Sequence, residues 1–360
     1  MNDQPTNDTG LAASFLRGLA TAVPPYRLTQ SDVVRVSADL FGDSCPDFER
    51  LIPVYDNTTI KTRYSCVPIE WYTTPHGWKE RNALYVENAV NLLQDAAIRA
   101  LAQAGLDHTD VDAVVTVSTS GIATPSLDAL IIQRMNLRPD VERLPVFGLG
   151  CAGGVSGLAR AGQMAISRPG ANVLLLVVEL CGLTFRCDDL SKSNIIASAL
   201  FGDGAAAAVL SSSSACGGPS IRAWGEHTWP DTLDVMGWKI EDDGWGVLFS
   251  QSIPAIVRRD YRAALDRFLE ANRLSLDTID SFAIHPGGTK VVDALERGLD
   301  LAAGRLSESR AVLRDHGNMS AATVLFVLDR LRNQAEPCRR TLVSSLGPGF
   351  TASFLILEQA

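Results

Sequence analysis

The feature that most constrains this chain is an internal repeat with a separation of 167 to 168 residues. Residues 105–115 end a helical pattern and open an apolar strand, and residues 273–283 do the same. Residues 150–154 and 317–321 each precede a helical pattern that is rich in small side chains. A repeat that keeps its spacing over several elements indicates duplication, so we predict two similar halves of alternating strands and helices.

The repeat leads to a predicted fold class and to predicted boundaries. We expect an α/β protein in which each half forms a mixed sheet, with helices packed between and outside the two sheets. The predicted N-terminal half covers residues 14–211 and the C-terminal half covers residues 212–360, after a disordered tail of residues 1–13. At 360 residues the chain is long enough for two such cores.

Local patterns predict several single elements. A first strand is expected at residues 14–22, and helical spacing of apolar residues indicates helices at 29–40 and 82–104. Residues 211–246 contain four tryptophans among polar and glycine positions. We expect this region to be rich in loops and to cover the mouth of a pocket, although tryptophans more often simply pack in a core.

Charge and cysteine spacing exclude several classes of function. A formal net charge of −9 argues against general binding to nucleic acids or to membrane surfaces. The seven cysteines are widely spaced, without a C-x-x-C pair, so we expect a reducing cytoplasm and no structural metal. Residues 1–10 lack the order of a signal peptide, and the longest apolar runs are too short to span a membrane. We therefore predict a soluble cytoplasmic protein.

Cys151 lies where an apolar strand pattern meets a helical pattern. The free amides and the dipole at the start of a helix stabilise a thiolate, so we expect a lowered thiol pKa there. Gly150, Gly153 and Gly154 allow a tight turn and the close approach of a substrate. The alternative is an inert cysteine that packs as a small hydrophobic side chain.

The duplication predicts which other polar residues meet Cys151. Equivalent strand ends of the two halves lie near one pseudo-twofold axis, and His285 follows the apolar segment 281–284. Asn318 occupies the position of the repeat that corresponds to Cys151. We therefore expect Cys151, His285 and Asn318 to converge on one pocket, although a lone histidine in this position is more often part of a core.

Two acyl-transfer chemistries fit a cysteine, a histidine and an asparagine. In a hydrolase the histidine is the base and the asparagine orients it. Alternatively, His285 and Asn318 both donate to one carbonyl oxygen and stabilise an enolate, as decarboxylation of a malonyl thioester requires. His285 also has the chemistry to pair with Cys151 as imidazolium and thiolate.

Four motifs resemble the signatures of type III polyketide synthases, the chalcone synthase superfamily. They are Gly-Cys-Ala-Gly-Gly at 150–154, His-Pro-Gly-Gly at 285–288, Gly-Asn-Met-Ser at 317–320 and Gly-Pro-Gly at 347–349. The resemblance extends over residues 14–357. It implies a thiolase-like fold with five layers in the order αβαβα, a homodimer, and a catalytic triad of Cys151, His285 and Asn318.

The resemblance also implies a reaction. An acyl-CoA starter would be loaded on Cys151, and malonyl-CoA would be decarboxylated by His285 and Asn318 and condensed with it repeatedly. Neither an acyl carrier protein (ACP) nor a metal or other cofactor would take part, since the CoA thioesters are the substrates. Lys61, and less clearly Arg63, match a basic segment that meets the CoA phosphates; the alternative is a pair of solvated surface cations.

Pocket residues follow from the same resemblance. Phe201 resembles the gatekeeper phenylalanine of the family, and Phe249 resembles a second one. Cys181 and Thr184 match positions that line the cavity. Thr124 stands where plant relatives place a methionine that reaches into the cavity of the partner subunit.

Residues 186–194 are similar to bacterial alkylpyrone and alkylresorcinol synthases. Small side chains around the predicted pocket would leave a channel for an aliphatic chain. Our hypothesis is a medium- or long-chain acyl-CoA starter and a triketide or tetraketide pyrone or resorcinol product. The rival interpretations are a ketoacyl-ACP synthase of the fatty-acid-initiating kind, which resembles His-Gln-Ala-Asn where this chain has His-Pro-Gly-Gly, and a non-catalytic acyl-binding subunit.

Overall fold

The computed structural model describes residues 13–42, 44–45, 48–213, 217–334 and 338–359. Residues 1–12 of the predicted tail lie outside the described residues, so disorder there stays a prediction. The strands are β1 (Phe15–Ala22), β2 (Tyr26–Thr29), β3 (Thr62–Ser65), β4 (Ala113–Val117), β5 (Glu142–Val146), β6 (Asn172–Leu180), β7 (Asp203–Ser211), β8 (Ser220–Thr228), β9 (Met236–Glu241), β10 (Gly244–Phe249), β11 (Ser281–Ile284), β12 (Arg340–Gly347) and β13 (Thr351–Glu358).

The helices of the described residues include both long and single-turn segments. They are α1 (Gln30–Phe41), α2 (Phe48–Leu51), α3 (Pro53–Asn57), α4 (Trp78–Ala104), α5 (Leu127–Met135), α6 (Gly153–Ser167), α7 (Lys192–Leu200), α8 (Ile253–Ile256), α9 (Arg262–Ala271), α10 (Thr289–Gly298), α11 (Ser307–His316) and α12 (Thr323–Arg332). A π-helical turn, Val257–Tyr261, joins α8 to α9. No helix in the described part of the chain is long and apolar enough to cross a bilayer.

Nine strands form one mixed sheet in the order β11-β12-β13-β8-β1-β7-β6-β4-β5. The two halves follow the same scheme: β4 is parallel to β6, which is antiparallel to β7, and β11 is parallel to β12, which is antiparallel to β13. The halves meet between β1 and β8, which pair at Phe15 and Ser220. This shared strand pattern is the duplication that the sequence repeat predicts.

Apolar side chains divide the protein into layers. One core packs α6 and α12 between the two halves of the sheet, with Leu158 and Leu325 fully buried. A second core packs α4 and α5 on the outer face of the N-terminal half. A third packs α9 and α10 on the outer face of the C-terminal half. The predicted α/β, thiolase-like class is therefore confirmed, although the two predicted sheets are halves of one continuous mixed sheet.

Residues 211–246 differ from the prediction of a loop-rich region. They contain β8, which is hydrogen-bonded along its length to β13, and most of the hairpin formed by β9 and β10. The predicted long helix also begins earlier, at Trp78. The tryptophans and glycines of this region hide a strand pattern, because glycines and partly exposed aromatic residues blur the alternation of apolar and polar side chains.

Candidate active site

Cys151 lies in a 3₁₀ turn, Gly150–Ala152, directly before α6. The side chain is buried, and the carbonyl of Cys151 accepts a hydrogen bond of 2.8 Å from Ser345 Oγ at the end of β12. Gly347 packs so closely against this turn that a Cβ atom there would lie 2.5 Å from the carbonyl oxygen of Leu149. The glycines of the last motif therefore support the backbone that carries the predicted nucleophile.

His285 directly follows β11, and its N–H donates a 2.8 Å hydrogen bond to the carbonyl of Ser344. Because Ser344 and Ser345 are consecutive, the end of β12 holds the backbones of both His285 and Cys151. The imidazole is buried, and neither ring nitrogen has a hydrogen-bond partner among the described residues. A buried polar group without a partner costs about 1–3 kcal/mol, which a ligand oxygen at this position would offset.

Asn318 connects the turn after His285 to the thiol. Its Nδ2 donates to the carbonyl of Gly287 at 3.2 Å, and its Oδ1 accepts from the N–H of Ser320 at 2.8 Å. The side chains of Ser320 and Asn318 both act to lower the pKa of the Cys151 thiol, which places them beside it. The structure thus brings Cys151, Asn318 and the turn after His285 into one buried site, while their catalytic roles stay predictions.

The backbone of Asn318 also fixes Phe201. The N–H of Asn318 donates to the carbonyl of Leu200 at 2.9 Å, and its carbonyl accepts from Gly202 at 3.0 Å. These two bonds form a parallel bridge between Phe201 and Asn318. The predicted gatekeeper is therefore held by the backbone beside the predicted oxyanion donor.

Burial opposes charge on both reactive groups. It raises the pKa of the Cys151 thiol to about 12, against the hydrogen bond from Ser320, and it lowers the pKa of His285 to about 3. Burial therefore favours the neutral form of both groups in the ligand-free protein. The expected lowering of the thiol pKa by the start of the helix is wrong, because desolvation outweighs the dipole of α6.

Glu179 is a buried carboxyl group that the sequence analysis missed. It lies in β6, accepts from the N–H of Thr119 at 3.1 Å and from Ser320 Oγ at 3.3 Å. Burial raises the pKa of Glu179 to about 7, and its charge raises the pKa of Cys151. A single acidic residue at the end of an otherwise apolar strand was the signal that marked it.

A cavity between α1 and α7 contains three of the predicted pocket residues, Cys181, Thr184 and Phe201. Its remaining wall is mainly apolar and includes Leu28, Val36, Leu40 and Val247. Its volume is about 70 Å³, a narrow space. Phe249 packs against the ring of Phe201 with 5.6 Å between the centroids.

Thr124 is separate from this cavity. It is exposed in the loop that follows β4. Its predicted reach into the cavity of a partner subunit concerns a dimer and stays a prediction. Among the residues that the structure describes, no group of three or more His, Cys, Asp and Glu side chains is placed to hold a metal ion.

The prediction that Arg63 contacts CoA phosphates is wrong. Its guanidinium is buried and donates to the carbonyls of Ser198, Ala199 and Phe201 at 2.7 to 2.9 Å, and also to Gln30 Oε1. Burial lowers the pKa of Arg63 to about 10. The cation therefore satisfies the carbonyls at the C-terminal end of α7. Lys61 is exposed, and its contact with CoA stays a prediction.

The two cations are expected to respond differently to substitution. Lys61→Ala should raise the KM for an acyl-CoA roughly fivefold, the value of one exposed charge pair, without changing stability. Arg63→Lys should lower the free energy of unfolding by about 1–3 kcal/mol, because an ammonium group cannot reach all of the carbonyls. Steady-state kinetics and urea unfolding measure the two effects. The exposed Lys79→Ala serves as control, and an unchanged KM with Lys61→Ala would remove Lys61 from the CoA site.

Alkylation of Cys151 tests whether His285 serves as its base. Near pH 7, iodoacetamide should modify Cys151 faster than the other six cysteines, because His285 accepts the proton of the thiol as it reacts. In His285→Gln the raised pKa of the Cys151 thiol alone controls its reactivity. The alkylation rate at pH 7 should therefore fall at least tenfold, and it should rise tenfold with each pH unit above 7. Peptide mass spectrometry follows each cysteine. Identical pH profiles for the two proteins would contradict the pairing.

Family models place the whole chain in one group of proteins. The model of chalcone and stilbene synthases, N-terminal domain, matches residues 6–214, and the model of the C-terminal domain matches residues 223–359. A 1,3,6,8-tetrahydroxynaphthalene synthase from Streptomyces peucetius subsp. caesius is 39% identical over 344 residues, which cover 94% of this chain and 91% of the relative. Pks18, an alpha-pyrone synthesis polyketide synthase-like protein of Mycobacterium tuberculosis, is 28% identical over 96% of this chain and 91% of its own.

Solved structures agree with this assignment. The crystal structure of 1,3,6,8-tetrahydroxynaphthalene synthase from Streptomyces coelicolor A3(2), a bacterial type III polyketide synthase, superimposes with a TM-score of 0.90. The match covers 96% of this chain and 99% of that one at 28% sequence identity. The chain thus belongs to the chalcone and stilbene synthase family of type III polyketide synthases, condensing enzymes of the acyltransferase type.

Proposed function

We propose that this enzyme transfers a medium- or long-chain acyl group from CoA to Cys151 and extends it with malonyl-CoA. The product would be a triketide or tetraketide that closes to a pyrone or a resorcinol. The observation that carries the proposal is the narrow apolar cavity lined by Cys181, Thr184 and Phe201, because Phe201 is joined through its backbone to Asn318 of the predicted site. An alkyl chain fits such a space better than a bulky ring system does.

In the loading step the sulfur of Cys151 attacks the thioester carbonyl of the starter. His285 takes the thiol proton and then gives it to the sulfur of CoA, which leaves as a thiol. The acyl group stays on Cys151. Burial of both groups favours their neutral forms before and after this step. Charge is therefore present only while the acyl group is being transferred.

In the extension step malonyl-CoA loses carbon dioxide and becomes an enolate. Its developing negative charge lies on the thioester oxygen, where the unpartnered His285 ring and the second N–H of Asn318 Nδ2 can donate. The enolate carbon attacks the acyl carbonyl on Cys151, and the bond between this carbonyl carbon and the Cys151 sulfur breaks. The sulfur keeps the electron pair and takes up a proton from water, and a chain longer by two carbons leaves on CoA. Reloading on Cys151 starts the next cycle.

A product screen tests the proposed substrate class. The protein is incubated with malonyl-CoA and acyl-CoA starters from C2 to C18, together with aromatic starters, and the products are identified by mass spectrometry. We expect C8 to C18 starters to give the most pyrone or resorcinol. Equal turnover of aromatic and C12 starters would contradict the proposal. A strict requirement for malonyl-ACP would instead support the ketoacyl-ACP synthase, and no condensation with any donor would support a non-catalytic acyl-binding protein.

A second candidate is an aromatic product made from malonyl-CoA alone. It is favoured by the relative from Streptomyces peucetius, whose name assigns it to 1,3,6,8-tetrahydroxynaphthalene. The ten carbons of a naphthalene skeleton correspond to five two-carbon units, so malonyl-CoA can supply all of them. Omitting the starter from the same screen separates the two candidates, since only the second then gives a naphthalene product.

The proposal includes a cytoplasmic homodimer that uses CoA thioesters and no other cofactor. Support for the dimer comes from the edge strand β5 and from Phe147 and Ile122, which are 61% and 48% exposed near the loop of Thr124. Large exposed apolar side chains beside a free strand edge favour association. Light scattering after gel filtration should give twice the mass of one chain. A monomer would also remove Thr124 from the predicted pocket of a partner.

A further inference from the structure

The hairpin of β9 and β10 forms a two-stranded sheet of its own, which pairs with no other strand of the described residues. A hairpin without a third strand is at best marginally stable in water. Its position on the protein therefore depends on the contacts of its side chains. These contacts occur at its inner face, at its tip, and at Trp245 of β10, whose buried ring packs on Trp78 of α4 with 5.2 Å between the centroids.

The inner face of the hairpin closes the cavity proposed for the acyl chain. Trp238, Val247 and Phe249 pack on a cluster formed by Cys181, Ala197 and Phe201. Val247 itself lines the cavity, and the ring of Trp238 lies 6.1 Å from the ring of Phe201. Any movement of the hairpin therefore changes the space available beside the gatekeeper.

The tip of the hairpin is held by Arg186, which lies in the loop before α7. Its Nη2 contacts Glu241 at 2.7 Å and Asp189 at 2.6 Å, and its Nη1 contacts Asp243 at 2.5 Å. The Arg186 side chain is only 9% exposed, so water screens its pairs with Asp189 and Glu241 less than it screens surface pairs, whereas Asp243 is 56% exposed. Arg81, on α4, adds a hydrogen bond to the carbonyl of Asp243.

Arg186 is itself fixed before it meets the hairpin. The buried Asn194 of α7 donates to the carbonyls of Arg186 and Asp189 at 2.7 and 2.8 Å. The loop that carries Arg186 begins directly after Phe185, which lines the same cavity as Thr184. Arg186 is thus fixed on the cavity wall, and it binds two carboxylates at the tip of a hairpin that has no third strand.

We propose that Arg186 is a positioning residue that holds this hairpin over the cavity and so controls how long a growing chain is retained. The ion pairs of Arg186 with Glu241 and Asp243 are called the latch. This inference rests on the proposed function. When the latch opens, the hairpin lifts from Phe201, and a partly extended chain leaves before the next condensation. Strong latching therefore favours longer products, and weak latching favours shorter ones.

The test removes the latch from the hairpin side, where the catalytic site is not touched. In Glu241→Gln/Asp243→Asn, hydrogen–deuterium exchange of the peptide 236–249 should become about two- to fivefold faster for each pair lost. The ratio of the shortest to the longest product should rise by a similar factor. Acylation of Cys151, measured by mass spectrometry of the intact protein, should stay unchanged.

Two further variants serve as controls. Arg310→Gln removes a cation that also pairs with two carboxylates, Asp293 and Glu296, on the far side of the C-terminal half, and it should change neither readout. Asp189→Asn leaves Arg186 paired with the hairpin, so its effect should be the smaller one. If Asp189→Asn changes the exchange rate and the product ratio as much as the hairpin variant or more, the latch is overturned. The order of the loop that carries Arg186 would then control chain retention.

The outcomes separate this inference from the function on which it rests. Unchanged exchange in the hairpin variant overturns the latch, and faster exchange with an unchanged product ratio overturns its control of chain retention. If the wild-type protein makes no polyketide, the proposed function fails. The exchange measurement then still decides whether Arg186 holds the hairpin.

Discussion

Cys151→Ala should abolish polyketide formation, with a loss of at least about a thousandfold, because no other group accepts the starter. The thiol is the only predicted nucleophile in the site, and its backbone is fixed by Ser345 and packed against Gly347. Product formation by mass spectrometry measures the loss. Cys338→Ala, which removes a thiol outside the site, should leave activity unchanged. Polyketide made by Cys151→Ala at more than a hundredth of the wild-type rate would contradict the assignment.

The same variant should retain part of the chemistry. Malonyl-CoA can still lose carbon dioxide at His285 and Asn318, and protonation of the enolate gives acetyl-CoA. Adding Asn318→Ala to Cys151→Ala should then lower acetyl-CoA formation by about 10²- to 10³-fold, the usual value of one oxyanion donor. Chromatography of the CoA esters follows this reaction. Equal acetyl-CoA formation by the single and double variants would show that Asn318 does not stabilise the enolate.

Gly154→Val should destabilise the protein by at least about 3 kcal/mol. A Cβ atom at this position would lie 2.3 Å from the carbonyl oxygen of Ala321 and 2.7 Å from Val324 Cγ1, distances that no side chain tolerates. The two central helices would have to move apart, and the turn before α12, which follows Asn318, would move with them. Activity and stability are therefore expected to fall together.

Urea unfolding and circular dichroism measure this effect. Gly237→Ala is the matched control, because no atom lies within 4 Å of a Cβ at that position in β9. It should leave the unfolding midpoint unchanged within experimental error. A midpoint for Gly154→Val that equals the wild-type value would show that the central helices pack less tightly than the structure indicates.

The overall fold follows from the sequence because duplication makes each half an independent test of the other. The apolar segments that end at Val115 and at Ala283 become corresponding strands, since burial on both faces leaves a continuous apolar run in each. The hairpin of β9 and β10 was missed for the opposite reason. It is one-sided and partly exposed, so its pattern is set by the few side chains that cover the cavity rather than by a core.

The site shows the same contrast. Cys151 and Asn318 were predicted together because the repeat places them at equivalent chain positions, and His285 was predicted because it follows a strand end of the second half. Ser320 was not predictable, since its contact with Glu179 exists only after the two halves have packed, and Glu179 was missed although it is the only acidic residue of an apolar strand. The CoA contact was wrongly predicted for Arg63 because the sequence does not distinguish it from the nearby Lys61. In the structure, Arg63 lies in β3 and its side chain points to the end of α7.

The backbone bridge between Phe201 and Asn318 has a practical consequence for redesign. Because the two residues are joined through main-chain atoms, trimming the aromatic ring to a smaller side chain leaves the register of the amide intact. We therefore expect substitutions at position 201 to change product length without changing the rate of decarboxylation. Cavity size and reactivity would then be adjustable separately.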